Sequence, residues 1–462
     1  MTIWPPERES LRRPVYRSLA DAVIAAIDAG ALKYGERMPT HRDLAYDLDI
    51  SVQTVSRAYE ELARAGVIEG EVGRGTFVRK VGGDTRTPYI QGDQKGSVID
   101  LSILKPVHGK HLDVEMSRAL AALGNDLPAR AVSSFRPSEA LGHHRREAMR
   151  WLRGCGLTID PDQLLLTNGN TSAMTIALMT AANPGDLIVT EALGHHTLNT
   201  LTNYLGRRLH GVAIDDEGII PEDLDRACER MPVKAAYLMP MGLAPIPSVM
   251  SATRRAEIVA VARQHDIMII ENDAWGPLQP NRPPPIAMLA PERPFYFTSL
   301  TKCIMAGLRL GFLVTPATHA AAASNRHLVT NWMATPIMAE LAMRWIADGT
   351  AERLLKWQRR ALAERNALAA RILDADTFVA SPNGMHIWLP LPPTWPEEAF
   401  VAHARLQGVA VAPGSAFAFT DPPIQSGVRV CLGSESNAML ERGLGILRRL
   451  IRSRPEPALL AI

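Results

Sequence analysis

This chain of 462 residues has few cysteines and almost no excess of positive or negative charge. Its four cysteines lie far apart and form no C-x-x-C pair, so neither a zinc site nor a disulfide framework is indicated, and no metal is predicted. A formal net charge of +2 points by itself to no polyelectrolyte partner. The chain has no apolar signal region and no run of about 18 apolar residues, so we expect a cytoplasmic protein without a membrane span.

The length and the overall composition are those of an ordinary globular protein. Apolar residues make up 47% of the chain and charged residues 21%. At roughly 150 residues per domain, the length suggests about three domains.

Residues 1–80 combine three short helical patterns with a hairpin pattern. Thr40 and Asp43 form a capping box for the second helix, and Ser51 is a good N-cap for a third helix that reaches Gly66. The buried stripe of this third helix is predicted from apolar spacing as Val52, Val55, Tyr59 and Leu62. Gly73 and Gly75 suit a hairpin turn with Arg74 at its tip.

Three helices and a hairpin are the outline of a winged helix-turn-helix. Its third helix would place Ser51, Gln53, Thr54, Ser56 and Arg57 in a DNA major groove, and Arg42, Arg57 and Arg74 would contact phosphates or the minor groove. A small protein-interaction module has the same outline. Residues 1–80 hold twelve basic and twelve acidic residues, so their net charge does not distinguish the two interpretations.

Several segments of this region are similar to the GntR family of bacterial regulators. They are P-V-Y-R-S-L-A-D-A-V, G-E-R-M-P-T-H-R-D-L-A, S-V-Q-T-V-S-R-A-Y-E-E-L-A-R-A-G and G-R-G-T-F-V. The resemblance implies binding to double-stranded operator DNA. Residues 81–96 show almost no apolar periodicity and are predicted to be a linker.

Residues 97–315 alternate between apolar runs typical of strands and helical patterns. This alternation predicts a mostly parallel α/β sheet. Ligand sites in such sheets lie at the carboxyl ends of the strands. One such end is T-N-G-N-T-S-A-M, where Gly169, Asn170 and Thr171 begin a helix whose amide groups and dipole can bind an anion.

A second strand end carries the segment T-S-L-T-K-C-I-M-A-G-L-R-L-G, residues 298–311. Lys302 can form a Schiff base with an aldehyde cofactor if its surroundings keep its amine unprotonated. Ser299, Thr301 and Arg309 can bind a phosphate.

S-x-x-K followed by G-L-R-L-G resembles the cofactor segment of the fold-type I aminotransferases, which bind pyridoxal 5'-phosphate (PLP). The resemblance implies that His195 stands where the family has an aromatic residue that stacks on the pyridine ring. It also places Ala244 at the position of an asparagine that bonds the phenolic oxygen, and Trp275 at the position of a tyrosine. The aspartate that pairs with the pyridine nitrogen is replaced by Asn272, with Asp273 kept as the alternative.

Residues 316–462 are predicted to form a smaller α+β domain. Long helical patterns cover residues 317–348 and 351–376, and short strands follow. Within one of those strands, Arg429 matches the family's clamp for a substrate carboxylate.

The order of the two parts resembles the MocR subgroup of GntR regulators, which implies a homodimer. The leading hypothesis is a regulator that senses an amino-acid-like compound or an amine by aldimine exchange on Lys302, because the changes at Ala244, Asn272 and Trp275 weaken support for a carbanion. A working aminotransferase with a secondary DNA-binding domain is the alternative. A cofactor-free regulator is a third hypothesis.

Overall fold

A computed structural model of the protein describes residues 4–28, 31–33, 35–64, 67–71, 75–78, 98–242, 245–374, 377–419 and 426–454. The chain divides into two compact units, residues 1–91 and residues 92–462. Among the described residues, no helix is both long enough and apolar enough to cross a bilayer.

The first unit is a winged helix-turn-helix, as the sequence predicts. Its elements are α1 (Val15–Asp28), α2 (His41–Asp47), α3 (Val52–Arg64), β1 (Ile68–Glu71) and β2 (Gly75–Val78). The two strands pair antiparallel, with Ile68 opposite Val78.

The cap of α2 and most of the buried side of α3 follow the predicted pattern, and α3 ends at Arg64, two residues before the predicted Gly66. The Thr40 hydroxyl accepts the Asp43 N–H, which caps α2. Val55, Tyr59 and Leu62 are buried, but the prediction that Val52 is buried was wrong, because this side chain is 45% exposed. Val52 is the first residue of α3, so there is no preceding turn to cover it.

The second unit is an α/β structure. Its strands are β3 (Ile99–Asp100), β4 (Leu164–Thr167), β5 (Leu187–Glu191), β6 (Arg208–Val212), β7 (Ile214–Asp215), β8 (Gly218–Ile219), β9 (Val233–Leu238), β10 (Met268–Asn272), β11 (Pro294–Ser299), β12 (Gly311–Val314), β13 (Val379–Ala380), β14 (His386–Pro390), β15 (Val409–Ala410), β16 (Ala412–Pro413) and β17 (Gly427–Cys431). Its helices are α4 (Lys110–Asn125), α5 (Ala129–Ser133), α6 (Pro137–Leu141), α7 (Arg145–Gly154), α8 (Gly169–Ala181), α9 (Leu198–Tyr204), α10 (Pro221–Arg230), α11 (Ala252–Gln264), α12 (Ile286–Leu289), α13 (Leu300–Cys303), α14 (Ala320–Asn331), α15 (Pro336–Ala347), α16 (Thr350–Leu373), α17 (Glu397–Leu406) and α18 (Asn437–Arg452).

Seven strands form the central sheet in the order β4-β12-β11-β10-β9-β5-β6. All neighbours pair in parallel except β12, which is antiparallel to β11 and to β4. The strands of such a sheet are buried on both faces, which explains the continuous apolar runs of the sequence. The carboxyl ends of β4, β10 and β11 therefore lie on one edge of the sheet.

The sheet register brings two predicted binding segments side by side. Gly311 of β12 pairs with Ser299 on one side and with Thr167 on the other. A Cβ on Gly311 would lie 2.7 Å from Thr167 Oγ1 and 2.9 Å from the carbonyl carbon of Gly169. Only glycine fits this contact, so the G-L-R-L-G segment packs directly against the start of α8.

A smaller sheet of β13, β14, β17 and β16 forms the core of the C-terminal part. The helical pattern predicted for residues 317–348 is divided in the structure, because α14 ends at Asn331 and α15 begins at Pro336. Trp332 adopts a positive φ of 63° at the break, and the proline favours a helix start. The second predicted helix, residues 351–376, ends at Leu373.

Candidate functional site

The surface of α3 presents most of the residues that were predicted to bind DNA. Ser51 Oγ accepts the Thr54 N–H at 3.1 Å and caps the helix. Ser56 Oγ is 3.1 Å from His41 Nδ1, and the Arg57 guanidinium carbon lies 4.3 Å above the Tyr16 ring. The exposed members of the predicted set are Arg42, Ser51, Gln53 and Arg57, while Thr54 and Ser56 are half-buried. Arg74 lies outside the described residues.

In the second unit, the start of α8 forms one wall of a polar cradle. Gly169, Asn170 and Thr171 are the first three residues of this helix, so their N–H groups have no partner within it. Gly169 has a φ of +78°, and a Cβ there would lie 3.2 Å from Arg309 Nη2. The glycine thus permits both the turn and the close approach of the guanidinium.

Buried polar atoms complete this cradle. Ser299 Oγ, Thr301 Oγ1 and both polar side-chain atoms of Asn170 are buried, and none has a hydrogen-bond partner among the described residues. Leaving buried polar groups unpaired costs about 1–3 kcal/mol each. Buried donors of this kind, together with Arg309 and the helix amides, have the chemistry that binds an anion.

Lys302 lies in the short helix α13, directly after β11. Its ammonium donates a hydrogen bond to the Leu104 carbonyl. Burial, with smaller contributions from the cations Arg429 and Arg309, lowers the pKa of Lys302 to about 8, against opposing effects of Cys431 and Cys303. A lysine with this pKa is a far better nucleophile near neutral pH than an ordinary surface lysine.

Arg429 lies on β17 and is buried. Its Nη2 donates to the Ser102 carbonyl at 2.9 Å, and its guanidinium carbon lies 4.6 Å from the Phe417 ring centroid. Its Nε is buried and makes no hydrogen bond within the part of the chain that the structure describes. This donor is therefore available to a further acceptor such as a carboxylate.

Two stacked histidines follow β5. The His195 and His196 rings are 4.8 Å apart and inclined by only 20°. Burial lowers the pKa of His195 to about 4, with smaller contributions from Lys302 and Arg429. Burial also lowers the pKa of His196 to about 2. Both imidazoles are therefore neutral at physiological pH, and the structure brings His195 into the same site as Lys302 and Arg429.

Asn272 ends β10, and the next residue, Asp273, continues the ladder by donating its N–H to the Phe297 carbonyl of β11, so the two side chains point to opposite faces of the sheet. Asn272 Nδ2 donates to the Tyr237 hydroxyl at 2.7 Å, and that hydroxyl also contacts Met174 of α8. Asp273 instead accepts a hydrogen bond at 2.6 Å from Arg282 Nη1 and another from the Tyr296 hydroxyl. Asn272 therefore lies on the α8 face, and Asp273 is held in a buried ion pair.

Trp275 and Ala244 are the other two positions at which the chain departs from the aminotransferase pattern. Trp275 is buried, and a Cβ on Gly242 would lie 3.3 Å from its Cε3 atom. Trp275 Nε1 makes no hydrogen bond to any residue that the structure describes. Ala244 lies outside the described residues.

Sequence reasoning missed several groups that complete this site. Tyr237 supports Asn272, and the carbonyl oxygens of Ser102 and Leu104 face the two buried cations. Glu191 is buried at the end of β5, where it accepts the Met239 N–H at 2.7 Å, and burial raises its pKa to about 7. Of these groups, only Glu191 gave a signal in the sequence, as a carboxylate directly after the strand-like run L-I-V-T.

Known proteins share both parts of this architecture. Residues 97–447 match the family described as aminotransferase class I and II, and residues 15–78 match the gntR family of bacterial regulatory proteins. The HTH-type transcriptional regulator YdeF of Bacillus subtilis is 28% identical over 453 residues, covering 97% of this chain and 96% of that protein. A probable rhizopine catabolism regulatory protein, MocR of Rhizobium meliloti, is 25% identical, covering 94% and 93%.

Two further comparisons concern vitamin B6 and the fold. The vitamin B6 salvage pathway transcriptional repressor PtsJ of Salmonella typhimurium is 25% identical over 90% of this chain and 93% of its own. Among solved structures, an archaeal alanine:glyoxylate aminotransferase superposes with a TM-score of 0.71 at 20% identity, covering 77% of this chain and 91% of that one. At this identity the superposition shows the fold alone.

Proposed function

Because the chain belongs to the aminotransferase class I and II family and carries an N-terminal gntR-family domain, the MocR architecture, we propose that it is a transcriptional regulator controlled by a ligand on Lys302. The observation that carries this proposal is the combination of a complete lysine and anion site with a neutral Asn272. The ligand is an amino-acid-like compound or an amine, and the DNA is read by α3.

The anion site fits the phosphate of PLP. Ser299, Thr301 and Asn170 offer buried polar atoms without partners, and Arg309 and the start of α8 add positive charge. Lys302 is the side chain that would hold the cofactor, which supplies an aldehyde that reacts with amines when it is bound. His195 would lie against the ring of the cofactor as a neutral, flat side chain.

The residues around Asn272 favour ligand sensing over turnover. A carboxylate at this position would keep the pyridine nitrogen protonated and so make the ring an electron sink. An amide carries no charge, and Asn272 already donates one N–H to Tyr237. Asp273 is not a substitute, because its carboxylate is paired with Arg282 on the other face of the sheet. We therefore expect that the proton on the carbon next to the nitrogen of a bound amino compound is removed only slowly.

Arg429 is proposed to bind the ligand carboxylate. Its guanidinium is buried against Phe417, and its Nε has a free donor among the described contacts. A planar guanidinium holds a carboxylate through two parallel hydrogen bonds. The Ser102 carbonyl now takes one of its donors, so a bound carboxylate competes with residue 102 for Arg429.

A homodimer is proposed from an exposed apolar surface. Phe135 and Val329 are 81% and 87% exposed, and Val132 and Trp332 beside them in sequence are also exposed. Trp332 Nε1 donates to the Phe135 carbonyl at 2.8 Å, which joins the two segments. Contiguous apolar surface of this kind is typical of a subunit interface. Two copies would present two α3 helices to paired half-sites.

Absorption spectroscopy tests the cofactor assignment. Purified protein given PLP should gain a visible band that borohydride abolishes, and the Lys302→Ala variant should not gain it. Incubating the loaded protein with the twenty amino acids and a keto acid then tests turnover. Steady product formation would favour a working aminotransferase, and a colourless wild-type protein would leave only the DNA-binding part of the proposal.

A further inference from the structure

A group of histidine and glutamate side chains lies outside both proposed sites. From it we infer that His143, His144 and Glu340 form a binding site for a divalent transition metal, with zinc as the ion that their chemistry suits best. The cysteine spacing predicted no metal. No local spacing indicated this site, because His143 and Glu340 are 197 residues apart in sequence.

The distances match tetrahedral coordination. His143 Nε2 is 3.2 Å and His144 Nε2 is 3.4 Å from the same oxygen, Glu340 Oε2. All three ligand atoms lie within 4.8 Å of one another. Zinc with bonds near 2.1 Å has its tetrahedral ligands about 3.4 Å apart. Three protein ligands with one open position are also a common zinc arrangement.

The local fold holds the ligands in place. His143 and His144 end a 3-10 turn at the start of α7, and Glu340 lies on the facing helix α15. Arg344, one turn further along α15, donates to Glu340 Oε1 at 2.9 Å, which leaves Oε2 to the two imidazoles. A partner of this kind fixes the orientation of a metal ligand.

Of the three proposed ligand atoms, His144 Nε2 is the one without a hydrogen-bond partner among the described residues. The His144 side chain is buried. This buried ring nitrogen is therefore available to coordinate an ion.

A cation already occupies part of the site. Arg130 Nε donates to His143 Nε2 at 3.1 Å, and its Nη2 lies 3.9 Å from Glu340 Oε2. Its side chain is 46% exposed, so it can turn into solvent when a metal enters. Arg130 and Arg344 both oppose a divalent ion electrostatically, and removing Arg130 should therefore strengthen metal binding. Two nitrogen ligands exclude the oxygen-preferring ions calcium and magnesium.

The site adjoins the helix that leads back to the anion cradle. The Thr335 N–H, just before α15, donates to Asn168 Oδ1 at 3.0 Å, and Asn168 precedes the first residue of α8. A metal that joins α15 to the turn before α7 would therefore stabilise the position of α15 and with it the contact between Thr335 and Asn168 beside the cradle. This structural role does not depend on the function proposed for Lys302.

Zinc binding by the full-length protein, after chelator treatment, tests the inference. Competition with a chromophoric chelator should show one zinc per chain, and cobalt should give the visible bands of a tetrahedral site. His143→Gln should weaken binding at least about tenfold, since even the outer partner of a metal ligand is worth that much. Arg130→Gln should strengthen it.

His108→Gln is the matched control, because His108 also faces a carboxylate at 3.2 Å, that of Asp113, but in an exposed pair without a third ligand. Its zinc affinity should equal that of the wild type. Circular dichroism should show all three variants folded, since each replaces a side chain with substantial exposure. Absence of stoichiometric zinc, equal affinity in His143→Gln, or weaker binding in Arg130→Gln would overturn the inference and leave an ionic network.

Discussion

The reactivity of Lys302 should follow the pKa that its burial gives it. A pKa of about 8, in place of 10.5, means that about 9% of the amine is unprotonated at pH 7, compared with about 0.03% for an ordinary lysine. The difference is roughly 300-fold in reactive amine. Neighbouring Arg429 and Arg309 contribute to it, but desolvation is the largest cause.

Stopped-flow absorbance can measure this effect in the apoprotein. The rate constant for covalent PLP capture should rise about tenfold per pH unit below pH 8 and level off above it, because only the unprotonated amine reacts. A model peptide with one free lysine side chain and an acetylated N-terminus provides the reference, and its rate should keep rising to pH 10. A wild-type profile that also rises to pH 10 would refute the argument from burial.

Three more predictions concern α3, β10 and the ion pair behind it. Arg57→Ala should weaken binding to DNA from the region upstream of the gene by about tenfold. It should also reduce by about 1 the slope of log affinity against log salt concentration, while PLP loading stays normal. An equal loss of DNA binding and PLP binding would indicate misfolding. Asn272→Asp should speed the reaction of bound PLP with an amino acid by roughly a hundredfold, as measured by stopped-flow absorbance. An unchanged rate would show that the pyridine nitrogen of PLP does not face residue 272. Asp273→Asn should lower the free energy of unfolding in urea by about 3–5 kcal/mol, because it leaves the buried Arg282 without its counter-charge. The control Asp162→Asn, in an exposed ion pair, should lower it by less than about 1 kcal/mol. Equal effects of the two substitutions would contradict the argument from burial.

The sheet of the second unit could be predicted because its strands are buried on both faces. The runs Leu164–Leu166 and Phe295–Phe297 read as strands for that reason, and both are strands in the structure. The helix-turn-helix was equally legible, since Thr40 and Ser51 are local caps whose partners lie three residues away. Local signals of this kind do not depend on the rest of the fold.

Features that depend on distant contacts could not be predicted. The pairing of Asp273 with Arg282 and Tyr296 explains why this carboxylate lies away from the α8 face, yet only the three-dimensional structure brings those side chains together. The break before Pro336 was missed because the apolar periodicity continues across it. The roles of Asn272, Arg429 and the cradle residues stay predictions, now supported by their geometry.

One measurement tests the central claim that the Lys302 site controls DNA binding. Fluorescence anisotropy should compare the affinity for the upstream DNA with and without PLP, and again with each of the twenty amino acids, in the wild type and in Lys302→Ala. The account predicts a change of at least about fivefold in the wild type with PLP or with one PLP–amino acid combination, and none in the variant, because a ligand regulates only if it favours one arrangement of the protein. The same affinity under all these conditions in the wild type, or the same change in both proteins, would contradict it.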